Sequence, residues 1–238
     1  MSYQTPALQA GQSAPGRGEW VAGVTITVTL AQAPTAGNLL IAAVSLQHVF
    51  PGLPTVTGIA DANAKTVWTQ QTTRTADNSG LSTDIWVGVV SAGASPVITV
   101  TLSAAPEDGV VDICEWTGLL TVGFLDNSAV NSNAAPDASP DTGTTVNTTQ
   151  TVELWVGATA ILFNTQALPT NGFTLLDGAL SALGPVSLAY LYKVVAAIGI
   201  ANSGTTASGA QFWAGNMTTY KAALSLGGIK LPLVGVGL

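Results

Sequence analysis

Charge is what this sequence has least of. Six basic and thirteen acidic side chains are spread over 238 residues, a charged fraction of 8% with a net charge of −7. No lysine or arginine cluster exists that could neutralise a row of phosphates, which excludes direct nucleic-acid binding. Histidine occurs once, at His48, and cysteine once, at Cys114. A single cysteine cannot close an intrachain disulfide, and one histidine with one cysteine cannot supply a structural zinc site. No window reaches the roughly 18 uninterrupted apolar residues of a spanning helix, so no membrane partner is expected. Residues 1–20 have no basic start, no apolar run and no small-residue cleavage pattern, so no signal peptide is expected either.

What the chain does have is apolar material and turns. Apolar residues make up 47%, with 26 glycines and 12 prolines, enough for a core cut into many short elements and too much for disorder. The run 37–46 (GNLLIAAVSL) has a counterpart past the midpoint, 152–162 (VELWVGATAIL), and each opens the same succession of strand-like segments. After the first come a hairpin region around Gly58 to Trp68, then 83–90, 97–102 and 110–116. After the second come a shorter hairpin around Phe173 to Gly178, then 186–195 and 212–222. Period-two alternation supports the assignment: in 21–30 (VAGVTITVTL), Val24, Ile26, Val28 and Leu30 share one face and three threonines the other. Residues 39–46 are almost continuously apolar, broken only by Ser45, as in a strand covered on both faces. In 179–195 helical periodicity competes, but Val186, Leu188, Tyr190 and Tyr192 fall on one alternating face, and β-branched and aromatic residues favour a strand.

The expected fold is all-β: an antiparallel two-sheet β-sandwich with two weakly similar halves and extended termini. Residues 1–19 read as a polar, loosely held arm, 20–223 as a single sandwich domain with a long polar connector at 126–150, and 224–238 as an apolar tail. That tail (LSLGGIKLPLVGVGL), with Leu231, Leu233, Val234 and Leu238, is greasy enough to need cover. It is expected to pair as an edge strand, in its own subunit or in a neighbour's.

Residues that could do chemistry are few. Asp112 and Glu115 are the densest acidic pair in a strand, but three positions apart they face opposite ways, which does not suit a glycosidase pair. One is expected to be solvated and the other paired or at an edge. His48 has no G-x-S-x-G partner and reads as a solvated loop residue, and Cys114 as a small buried hydrophobe. Asp61 with Asn63, and Asp137 with Asp141, could offer oxygen ligands to calcium, yet neither matches a calcium-loop signature, so metal-free turns are expected. Of the six tryptophans, Trp86, Trp116 and Trp155 read as core. Trp68 and Trp213, in more polar surroundings, are the two candidates for contact with a ligand such as a sugar ring. No catalytic, cofactor or metal residue is assigned.

The order GNLLIAAVSL, VTGIADANAKTVWTQ, STDIWVGVVSAGASPVITVTLS, ICEWTGL resembles a family of jelly-roll-like β-sandwich domains found in phage virion proteins and bacterial surface proteins. In that pattern a G-N-L-L-x strand precedes a D-x-x-G-N-T-W hairpin and an I-W strand, and the half ends on E-Y/W-x-G, here Glu115-Trp116-Thr117-Gly118. ELWVGATAI, GFTLLD and a final strand from Trp213 to Lys221 resemble the family's second half, so the likeness covers about residues 20 to 222. The chain departs from it at the hairpin, where Asn63-Ala64-Lys65 replaces the expected Gly-Asn. The resemblance implies a jelly-roll-like sandwich without enzymatic activity: a virion structural protein of a phage, a capsid decoration or other head or tail surface component, assembled in the host cytoplasm. Its partners would be further copies of itself, as a homo-oligomer, and other virion proteins such as a major capsid protein. The alternative it implies is an adhesion or carbohydrate-binding module of a cell-surface or tail-fibre protein, with a surface glycan as ligand.

Overall fold

A computed structural model describes residues 2–48, 52–75 and 80–225, and among these every regular element is a strand. The first half runs β1 (Ala7–Leu8), β2 (Gly16–Glu19), β3 (Thr25–Thr29), β4 (Leu39–Gln47), β5 (Val56–Asp61), β6 (Thr66–Thr75), β7 (Leu81–Val90), β8 (Val97–Leu102) and β9 (Asp108–Thr117). The second runs β10 (Leu125–Ser132), β11 (Glu153–Leu162), β12 (Gln166–Ala167), β13 (Thr174–Asp177), β14 (Val186–Val195), β15 (Thr206–Ala207) and β16 (Trp213–Lys221).

Two large antiparallel sheets carry the same strand order. The first is β1-β9-β4-β7-β6, with β2 also pairing β9, and the second is β10-β16-β11-β14-β13. Thus β4 and β11, the two similar apolar runs, occupy the same central place. Each is flanked by the later strands of its own half. In the first half β2-β9-β4-β7 in one sheet and β3-β8-β5 in another is the order of a jelly roll, except that β6 joins β7 instead of extending the small sheet. The second half keeps only a remnant of the small sheet: the β12–β15 pair and the bridges Asp141 to Gly204 and Asn147 to Ile200.

The alternation explains where the core sits. Along β4, Leu39, Ile41 and Ala43 face the second large sheet, where they meet Leu154, Val156, Leu188 and Tyr190. The intervening Leu40, Ala42, Val44 and Leu46 face the small sheet and pack with Ile26, Val28, Ile98 and Val100. A fully buried aliphatic or aromatic side chain contributes about 2 kcal/mol, so the seam between the large sheets and the layer outside it are both substantial. The third apolar cluster, around Trp155, Phe173 and Met217, covers the outer face of the second sheet.

Several expectations change. Residues 2–19 are not loosely held: β1 and β2 are edge strands on β9, and residues 2–4 bond to 223–225 through Gln4 N to Ala223 O and Ser225 N to Ser2 O. The connector 126–150 is not structureless. Its first part is β10, bonded along β16, because backbone pairing needs no apolar side chain at an edge. The region from Gly58 to Trp68 is a tight turn but not a ladder, since β5 pairs with β8 and β6 with β7. Ala64 takes a positive φ of 53° there. Val24, assigned to the buried face of 21–30, lies before β3 and is exposed.

Candidate functional site

The two tryptophans singled out from the sequence have different fates. Trp213 is only 4% exposed, packs with Ile161 and Ala207, and donates its indole N–H to Asp137 Oδ1 at 3.0 Å. It is a buried strut, so the expected ligand contact at Trp213 does not hold. Trp68 is half-buried on the outer face of β6, with its ring across Gly88 of β7. Trp86, Trp116 and Trp155 are core, as expected. The tail residues Leu231, Leu233, Val234 and Leu238 lie outside the described residues.

Asp112 and Glu115 do point to opposite faces, but neither is solvated. Both are fully buried. Glu115 accepts from Thr35 N at 2.8 Å and Asn38 Nδ2 at 2.6 Å, which ties the loop before β4 to β9. Asp61 accepts from Lys65 N at 3.0 and 2.7 Å and closes the turn, while Asn63 donates to Gly93 O. Asp141 is held by Asn131 and Asn202. Glu115 Oε1, Asp61 and Asp141 are spent on the fold's own backbone and amides, and among the described residues no group of three or more His, Cys, Asp or Glu is placed to hold a metal. Cys114 is buried in the seam, and burial together with the Asp112 charge pushes its thiol well up, away from the reactive thiolate.

Two buried polar clusters were not foreseen. At one end of the seam, Arg17 of β2 lies 2.9 Å from Asp177 of β13, 3.0 Å from Glu19 and 3.7 Å from Asp112. Asp108 completes the joint by accepting from Val186 N at 2.8 Å and Ser181 Oγ at 3.2 Å. Burial, with Asp177 nearby, drives the Asp112 carboxyl well above the usual range, and Arg17 only partly offsets this. Across the second sheet, Asp126 of β10 pairs with Lys221 at 3.1 Å and accepts from Thr149 N and Oγ1. Desolvation and the neighbouring Asp126 raise Glu153 to about 8, while bonds from Thr149, Glu153 and Lys221 hold Asp126 at about 2 despite its own desolvation. Split values of this kind suit acid–base work where a substrate can reach both groups. Glu153 has no exposed surface and its other oxygen is taken by Trp155 Nε1 at 3.1 Å, so the pair is structural.

One further arrangement is open to solvent and has a buried carboxylate in its lining. A cavity of about 280 Å³ lies between residues 53–56, leading into β5, and the far end of β6–β7. Leu53, Pro54, Thr55 and Val56 line one side, and Gln70, Thr73, Ser82 and Asp84 line the other. Asp84 is 3% exposed and receives the Gln70 amide at 3.3 Å. Desolvation pushes its carboxyl up to about 6, against the bonds from Thr73 and Gln70. No family model, no curated protein and no solved structure matches the chain at a significant level.

The sequence carried a signal for this cavity that went unused. Asp84, Trp86 and Gly88 alternate with Ile85, Val87 and Val89, which puts a carboxylate on the same face as a tryptophan in an otherwise apolar strand. Of Arg17's partners only Glu19, two residues on in β2, is local; the others, Asp112 and Asp177, lie in β9 and β13.

Proposed function

We propose that this chain is a non-enzymatic structural protein of a phage virion, a capsid decoration or other head or tail surface component that works as a homo-oligomer against other virion proteins. The observation that carries the reading is the character of the exterior. Of only thirteen acidic side chains, Asp61, Asp84, Asp108, Asp112, Glu115 and Glu153 are buried, so the surface is poorer in charge than the composition already implies. Val21, Val122, Val146, Phe163, Leu168 and Leu183 stand out on it. Free monomers keep apart through surface charge and small apolar patches. A low-charge exterior with scattered large apolar groups suits dense packing against copies and neighbours, where few like charges meet. The stacked jelly-roll halves and the resemblance noted above support the same reading.

Light scattering on the purified protein tests it, alongside sedimentation with assembled particles. A defined oligomer or particle-bound protein is expected, and a monomer at all concentrations that does not sediment with particles overturns the reading. Removing residues 226–238 is expected to weaken that assembly with the sandwich still folded. The alternative, a carbohydrate-binding or adhesion module, is favoured by half-exposed Trp68 on the same sheet face as the cavity at Asp84.

A further inference from the structure

We infer that the cavity between residues 53–56 and the end of β6–β7 is a binding slot for one saccharide ring, with Asp84, Gln70, Ser82 and Thr73 reading its hydroxyls. This goes beyond the assembly role and does not depend on it, because every residue named as lining the slot belongs to one chain.

The two sides of the slot differ in chemistry. Leu53, Pro54 and Val56 form a mainly apolar wall that Thr55 interrupts, and the carboxylate, amide and two hydroxyls form a polar one. A pyranose ring has the matching asymmetry, an aliphatic C–H face and a rim of hydroxyls that donate and accept. A volume of about 280 Å³ is at the small end of ligand pockets, which suits a single ring and exceeds what a lone cation needs. Asp84 is the distinctive feature. Its carboxylate is almost wholly removed from bulk water and is met by two neutral side chains of the slot, the Thr73 hydroxyl and the Gln70 amide, the latter at 3.3 Å, the long end of a hydrogen bond. Each carboxylate oxygen can accept more than one bond, and a ligand that brings further O–H donors gains from this, since charge-assisted bonds of this type are roughly twice as strong as neutral ones.

The placement follows from the strands. Gln70 faces Trp86 across β6–β7, and Trp68 faces Gly88 in the same ladder. The register shift between Gln70 and Thr72 turns Thr73 opposite Asp84, which is how hydroxyl and carboxylate meet at the slot. Trp68, two positions before Gln70 on the same face, extends the row outward and offers an aromatic surface for a second ring.

The test is a titration of the isotope-labelled full chain with the methyl glycosides of glucose, galactose, mannose and N-acetylglucosamine, and separately with methylammonium. At least one glycoside is expected to shift the Gln70 side-chain amide and the Ser82 and Asp84 backbone amides saturably. Asp84→Asn should weaken that binding about tenfold, and Thr73→Val, at an exposed position, should weaken it by a smaller factor. Near-UV circular dichroism checks that each variant is folded, and the wild-type shifts stand even if one is not. No saturable shift at these three residues with any glycoside overturns the proposal. So does a response to methylammonium alone, which would make the slot a cation site.

Discussion

Arg17 and Asp177 lie 160 positions apart in the chain and 2.9 Å apart in space, and their contact fastens β2 of the first half to β13 of the second. Arg17 also faces Asp112 and Glu19, so one guanidinium serves three carboxylates at the edge of an otherwise apolar seam. The Arg17–Asp177 pair is partly buried, but Asp112 behind it is wholly buried, and removing the guanidinium leaves that carboxyl without its counter-charge, which costs more than the intact contact contributes.

Arg17→Ala should therefore lower the unfolding free energy by about 3 kcal/mol, read as a fall in the urea midpoint. In a double-mutant cycle, Arg17→Met and Asp177→Asn should show coupling on the order of 1–2 kcal/mol. A loss below about 1 kcal/mol would mean that apolar packing alone holds the halves.

Glu153 gives a pH dependence with a definite sign. Its carboxyl sits at about 8 in the fold against an ordinary 4.5, so the folded state holds a proton that the unfolded state has released. The resulting stability is fully present below about 4.5, declines as pH rises, and is gone above about 8. Thermal unfolding of the wild type should lose on the order of 3 kcal/mol between those limits. Glu153→Gln keeps a donor facing Asp126 and should flatten that fall, and an equally steep decline in the variant would place its origin elsewhere.

Gly88 is required by its neighbour. A Cβ there would stand 2.7 Å from Trp68 Cε2 and 2.6 Å from Thr66 Cγ2. Gly88→Ala should cost about 1–3 kcal/mol and move the Trp68 ring, seen as a displaced Trp68 resonance in protein carrying fluorotryptophan. An unmoved resonance with native stability would contradict the close approach.

Phe163 and Leu168 hold left-handed backbone angles, φ of 61° and 48°, while 65% and 73% exposed. Bulky residues in that region cost about 1–2 kcal/mol each. Phe163→Gly should therefore stabilise the isolated chain by about 1 kcal/mol in calorimetry. If the side chain is held out for contact with a neighbouring copy, the same variant should weaken the oligomer by light scattering. A variant that changes neither measurement would show that Phe163 is neither strained nor in contact.

The alternating segments were legible because alternation is local. Ile26 and Val28 buried against three exposed threonines, or Leu39 to Gln47 buried on both faces, follow from residue order and a period of two. The likeness of residues 37–46 to 152–162 was also legible, and it corresponds to the shared central place of β4 and β11. Polar edge strands were not. In β2 and β10 the stabilising bonds are those of the backbone, which every residue type offers, so GRGE and LDNSAVNS look like loops until a partner strand is in place.

The sequence by itself determined an all-β chain of two similar halves, its apolar faces and its low charge, since those depend on neighbours two residues away and on composition. Only the tertiary structure decided that the large sheets stack across one seam, that Trp213 is interior, and that Arg17 serves three carboxylates. It alone set Asp84 at the floor of a slot. Each of these depends on which distant segments meet, and desolvation by those segments, more than residue type, sets the state of a carboxyl group.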